Sequence, residues 1–236
     1  MIEIHRKSLM TFYGDKKNEI SMQDIKQARL APTLSHIADV MSLDNLIVLD
    51  QVHGAHGFVV EQEALSKKFC LFKQQGDFLV TSLKKCGLVV VTADCVPIIL
   101  YDHLLHVAGI VHAGWRGAAQ GVAVQALHAM LKIGCSIQNV EAIFAASAAP
   151  CCYEVSFNFV DEFAHYDYAS EAFIKRNNKL YFDKKLFLRR QLERLGIQKN
   201  NIYNKNAACT ICNKGYCSFR REKDQGGRQA TVVALL

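Results

Sequence analysis

Two apolar runs, residues 96–100 and 107–111, flank a short polar turn at Tyr101-Asp102-His103. Neither run alternates apolar with polar residues, so neither keeps a face for water. Each has the length of a strand and is too short for a core helix. Together they predict an antiparallel hairpin in a sheet covered on both sides. Cys95 precedes the first run and His112 follows the second. A turn at one end of the hairpin brings these two side chains together at the other.

The neighbouring sequence is rich in strand signals. Strands are predicted over 45–50, 57–62, 77–81, 87–92 and 139–145, with shorter ones near 180–182, 201–204, 215–219 and 229–235. Residues 63–75 read as a loop, and residues 1–20 hold one short strand at most. Helical periodicity runs over 21–43, with Pro32 dividing it. A long helix is predicted from Gly117 to Ile133, closed by Gly134. Ser156 and Asp183 precede two more helical patterns, and Gly196 stops the second. Consecutive strands rule out regular βαβ alternation. The expected fold is α+β: one mixed domain over residues 1–236, with helices packed outside a sheet core.

Composition narrows the partners. No apolar run reaches the roughly 18–20 residues of a membrane span. The first residues, MIEIHRKSLMTF, do not have the pattern of a secretory signal. The net charge is +6, with basic residues dispersed except around Arg220, Arg221 and Arg228. That suits small anions better than nucleic acid, since no basic motif interleaved with aromatics is present. Nine cysteines without a secretory signal predict reduced thiols in the cytoplasm.

Several residues carry possible chemistry. His53 lies in the loop QVHG, directly after a predicted strand. His53, Cys95 and His112 offer two imidazoles and a thiolate, a zinc set that leaves one position open. Their separations are 42 residues (95 − 53) and 17 residues (112 − 95), which form no local ligand motif. By spacing alone, a buried thiol and two surface histidines explain them as well. In HAGWRG, Gly114 and Gly117 allow tight turns, and Arg116 sits where a helix begins. The helix start and a forked guanidinium both suit a phosphate; an ordinary loop with an exposed arginine is the alternative. Asp94 either orients a ligand histidine, acts as a base, or ends a strand. Cys151 and Cys152 read as buried thiols. Cys209, Cys212 and Cys217 form C-x2-C-x4-C, half of a structural zinc pattern, and read as unmetallated. His103 and His106 read as solvated turn residues.

Taken together, QVHG, TADCVPIILYD, VHAGWRG, PCCYEV and SFRREKDQGGR resemble the YfiH/laccase-domain family, over roughly residue 53 to the C-terminus. Its members are described as polyphenol oxidases, peptidoglycan editing factors and zinc-dependent purine nucleoside phosphorylases. The resemblance implies layered sheets flanked by helices, with His53, Cys95 and His112 as ligands of zinc, or of copper in the oxidase reading. In the nucleoside-enzyme reading, the Arg116 loop holds phosphate and Asp94 orients a ligand or handles a proton, so both are expected as catalytic residues. The resemblance implies phosphorolysis of adenosine, inosine, guanosine or methylthioadenosine, and deamination of adenosine. Purine nucleoside and phosphate are then the partners, and a monomer or weak homodimer is expected. Other readings are a copper polyphenol oxidase, a thiol hydrolase of cell-wall amides and a non-enzymatic scaffold. One departure stands out. The loop carrying Ala148 and Ala149 reads AASAAPCCYEV, with alanines where the family usually has two glycines.

Overall fold

Apolar runs buried on both faces need a sheet with a layer on either side, and the chain builds one. The computed structural model describes residues 1–5, 7–21, 32–62, 70–204 and 208–236. The first strands are β1 (Ile2–His5), β2 (Leu9–Tyr13), β3 (Asn45–Asp50), β4 (Gly57–Val60) and β5 (Cys70–Gln75). They continue as β6 (Phe78–Thr81), β7 (Cys86–Thr92), β8 (Val96–Asp102), β9 (Val107–Ala113) and β10 (Val140–Phe144). The last are β11 (Glu154–Val155), β12 (Phe173–Arg176), β13 (Lys179–Phe182), β14 (Ile202–Asn204) and β15 (Gln229–Leu235). The helices are α1 (Pro32–Val40), α2 (Trp115–Ala119), α3 (Val122–Lys132), α4 (Lys184–Arg194) and α5 (Phe219–Glu222).

Among the described residues, two six-stranded sheets form, ordered β1-β2-β15-β7-β3-β5 and β14-β10-β8-β9-β6-β4, beside a small sheet β11-β13-β12. The pleat explains the layering. In β8, Ile99 and Tyr101 point between the two large sheets, while Val96, Ile98 and Leu100 point outward. The outward set packs against α3 and α4 through residues such as Ala126, Met130, Leu188 and Leu192. In β7, Leu88 and Val90 face the inter-sheet core, and Val89 and Val91 face Leu34 and Ile37 of α1. Each fully buried side chain of this kind contributes about 1.5–3 kcal/mol. The α+β expectation holds, with sheets layered and helices outside. Among the described residues, no helix is long and apolar enough to cross a membrane.

Several expectations are corrected. Residues 70–75 are β5, paired parallel to β3, and not part of a loop; residues 63–69 lie outside the described set. The first part of the helical stretch before Pro32 does too, and α1 begins at Pro32 itself. The hairpin turn falls at residues 103–106, since β8 runs through Asp102. Asp102 is buried there, and its carboxylate accepts the N–H groups of Leu104, Leu105 and Ser136. His103 and His106 are engaged: Nδ1 of His103 donates to the Asn139 carbonyl, and Nδ1 of His106 pairs with the Tyr101 hydroxyl. Residues 1–20 hold two strands rather than one. Residues 215–218 form a loop, leading into α5, which Ser218 caps through the Arg221 N–H. The pattern after Ser156 is a 3-10 helix, Phe157–Phe163. The long helix is two helices. Gly121 adopts φ +79°, a left-handed turn that costs a glycine little, and divides α2 from α3.

Candidate metal centre

The β8–β9 hairpin sets the site. Its register pairs Pro97 with His112 and Val96 with Ala113. Cys95 therefore stands one residue before the first strand and faces His112 across the hairpin end. His53 arrives from the loop after β3, with φ +62°. One ligand atom from each of His53, Cys95 and His112 lies within 4.8 Å of the others. The two imidazoles meet edge to face, with centroids 4.7 Å apart. The three residues separated in sequence are thus one cluster.

Asp77, at the start of β6, organises that cluster. It is buried, and its Oδ1 accepts from His112 Nδ1 at 2.7 Å and from the His53 N–H at 3.0 Å. Its Oδ2 accepts from the Gly54 N–H at 2.7 Å. With Nδ1 bound, His112 presents Nε2 to the cluster. A carboxylate behind a ligand histidine sets its tautomer and raises its basicity. Sequence reasoning missed Asp77, whose only local signal was a Gly-Asp step before a strand. Gly114 is required by close approach. A Cβ there would lie 2.7 Å from His53 Cδ2 and 3.4 Å from Cys95 Sγ.

The charges are mutually reinforcing. Burial alone would raise the Cys95 thiol, but His112, His53 and Lys184 outweigh it and hold the thiol well below its usual 9.0. Burial alone would lower His112, but Cys95 and Asp77 outweigh it and raise it to about 9. Both shifts favour a thiolate beside an imidazolium. Lys184 was missed by sequence reasoning as well. It is buried at the start of α4, with Nζ 3.3 Å from the Asp94 carbonyl.

Asp94 faces away from the imidazoles. Its Oδ1 accepts from Thr210 Oγ1 at 2.7 Å. Its Oδ2 accepts from Ser218 Oγ at 3.1 Å and from the Arg220 N–H at 2.7 Å. Its backbone holds φ +88°, and its carbonyl accepts the Ala148 N–H. The carboxylate next to Cys95 therefore ties C-terminal chain to the base of β8, and the histidine-orienting carboxylate is Asp77. A non-glycine residue in that conformation costs on the order of 1–3 kcal/mol, which these bonds offset.

Arg116 lies in α2, exposed, with its guanidinium 4.3 Å above the Trp115 ring. A cavity of about 450 Å³ is lined there by Trp115, Arg116, Ala119, Gln120, Glu162 and His165. Because α2 spans only Trp115–Ala119, little helix dipole backs this arginine. The C-terminal arginines Arg220, Arg221 and Arg228 are engaged with backbone carbonyls. Arg221 donates to the carbonyls of Thr210, Ile211 and Tyr216, Arg220 to that of Glu154, and Arg228 to those of Gly226 and Gly227. None of the alanines at 145, 146, 148 and 149 has positive φ, so this loop places no glycine-only demand on them. Cys217 stands apart, its thiol 3.8 Å from Glu19 Oε2, whereas Cys209 and Cys212 meet Cys151 and Cys152.

Two imidazoles and a thiol, held by the β8–β9 hairpin end and the loop after β3, fit a borderline-soft ion such as zinc. The family described as multi-copper polyphenol oxidoreductase laccase matches residues 15–236. A purine nucleoside phosphorylase of Borreliella burgdorferi is 33% identical over 154 residues, covering 64% of this chain and 66% of that one. A purine nucleoside phosphorylase of Aquifex aeolicus is 37% identical over 161 residues, covering 68% and 72%. In fold, the crystal structure of Bacillus licheniformis hypothetical protein YfiH superposes with a TM-score of 0.85 at 21% identity, covering 97% of this chain and 93% of that chain. This chain belongs to the YfiH/laccase-domain family.

Proposed function

We propose that this chain, read as one domain over residues 1–236, is a zinc-dependent purine nucleoside phosphorylase of the cytoplasm. The observation that carries the reading is the His53–Cys95–His112 cluster with Asp77 behind His112. The names of the relatives point to the reaction class. The substrates are adenosine, inosine, guanosine or methylthioadenosine together with phosphate, and adenosine is also deaminated.

When bound by the two imidazoles and Cys95, zinc supplies a Lewis acid with one exchangeable position. The chain's own residues do the rest. Asp77 holds a proton on His112 Nδ1, so Nε2 stays available. Arg116 and Trp115 line an open depression of about 450 Å³. Arg116 offers a forked cation to phosphate. An oxygen of hydrogen phosphate bonds to the ribose C1′, the glycosidic C–N bond breaks, and the purine leaves with its electron pair and takes up the proton that the phosphate gives up. Asp94 serves here as a positioning residue for Cys95, since both its oxygens are committed.

The family's description favours a second reading, copper-dependent oxidation of polyphenols. Among the described residues, histidine enters one candidate metal cluster, with two imidazoles. That supplies one copper, not several. The test is zinc-loaded protein incubated with inosine and phosphate, read for hypoxanthine and ribose 1-phosphate. Absence of turnover, or equal turnover in Cys95→Ala, refutes the phosphorylase. Stoichiometric copper with phenol oxidation establishes the alternative.

A further inference from the structure

We propose that Cys151, Cys152, Cys209 and Cys212 hold one zinc ion through four thiolates, at a structural site separate from the His53–Cys95–His112 centre. All four sulfurs lie within 4.8 Å of one another, and Cys151 Sγ and Cys212 Sγ are 3.9 Å apart. Zinc–sulfur bonds of about 2.3 Å in a tetrahedron give sulfur–sulfur edges of about 3.8 Å. The cluster therefore closes on an ion with small side-chain movements. The same 3.9 Å is far beyond the roughly 2.05 Å of a disulfide.

The backbone brings the sulfurs together before any ion arrives. Ser147 and Cys209 form a parallel bridge, and the Thr210 N–H donates to the Ser147 carbonyl. This lays the C-x2-C segment against the Cys-Cys pair. The Ala149 N–H donates to Cys209 Sγ at 3.4 Å, and the amides of Ile211 and Cys212 also face that sulfur. Such amide–sulfur bonds orient and stabilise a ligating thiolate. Four thiolates and a divalent ion carry a net charge of −2. Nearby cations lie against the cluster's backbone: Arg176 donates to the carbonyl of Cys151, and Arg221 to those of Thr210 and Ile211. Cys151 and Cys212 are exposed, which gives an ion its entry path.

The site clamps the loop at residues 147–154 to the chain at 208–221. That second segment supplies Thr210, Ser218 and the Arg220 N–H, which hold Asp94 beside Cys95. The ion thus acts on the first metal centre only through support.

The test begins with the full chain stripped of metal, reloaded with zinc and desalted. Wild-type protein retains two zinc ions per chain, whereas Cys212→Ser and Cys151→Ser each retain one, and so does His53→Ala. With cobalt in place of zinc, His53→Ala keeps a four-thiolate ion and Cys212→Ser a one-thiolate ion. The near-ultraviolet thiolate-to-cobalt absorption per ion then differs by about fourfold in favour of His53→Ala. On wild-type protein, maleimide labelling mapped by mass spectrometry shows the four cysteines protected with zinc and labelled after chelation. Equal zinc in Cys212→Ser and wild type overturns the proposal. So does labelling of the four thiols in zinc-loaded protein, or a Cys151–Cys212 disulfide in protein kept under reducing conditions.

Discussion

Replacing Asp77 with asparagine removes a charge while keeping the shape of the side chain. The cost is set by the three hydrogen bonds that Asp77 accepts. Oδ1 receives the His112 Nδ1–H and the His53 N–H, and Oδ2 receives the Gly54 N–H. An asparagine has one acceptor oxygen. In its better orientation the amide nitrogen faces the Gly54 N–H, donor against donor. The part-buried Gly54 donor left unpaired costs about 1–3 kcal/mol, and losing the charge on the His112 bond costs about 1 kcal/mol more. Metal-free Asp77→Asn protein should be less stable by about 2–4 kcal/mol, read by urea denaturation.

Zinc binding should weaken by about 10–100-fold, or about 1.4–2.7 kcal/mol. The pH dependence identifies the cause. His112 must lose its proton to bind metal, and its raised value of about 9 makes protons compete below that pH. Wild-type affinity should therefore rise as pH approaches 9. Without the Asp77 charge, His112 gives up its proton at lower pH, and the variant should level off sooner. The gap between the two proteins is then smallest near pH 7 and widens with pH. Chelator competition at several pH values reads this directly. Equal affinities within twofold across the range, with stability lowered as stated, would show that Asp77 supports the fold and not the metal centre.

Gly114→Ala places a Cβ 2.7 Å from His53 Cδ2, so it should displace that ring and cut zinc affinity by at least tenfold, while the four-cysteine cluster still binds. In metal-free protein, Cys95 should react with iodoacetamide at pH values well below 9.0, and zinc should block the reaction; peptide mapping separates it from the other thiols. Arg116→Ala should raise the KM for phosphate several-fold with zinc content unchanged, since Arg116 is exposed and makes no bond to the cluster; an unchanged KM refutes its phosphate role.

Much of the fold is legible in residues 86–113 because those strands are buried on both faces, and burial writes itself as uninterrupted apolar sequence. The ends of α3 and α4 were legible through Gly134 and Gly196. β5 was not, because its strand conformation comes from pairing with β3 rather than from its own pattern. The break at Gly121 was also hidden, since α2 and α3 are both helical by composition and only the turn between them differs.

The ligand set was readable from residue type and from the hairpin that joins Cys95 to His112. Its supporting charges were not. Asp77 reaches His112 across 35 residues, and Asp94 reaches Thr210, Ser218 and Arg220 across more than a hundred. The cysteines at 151 and 152 likewise meet those at 209 and 212 only because the bridge at Ser147 aligns the two segments. Sequence alone determined which strands had to be buried and which side chains were chemically suited to metal, since hydropathy and donor type are properties of residues. Tertiary structure alone decided which carboxylate stands behind which ligand and which thiols share a site. Those are distances of a few ångströms between residues far apart in the chain, set by sheet register and by no local pattern.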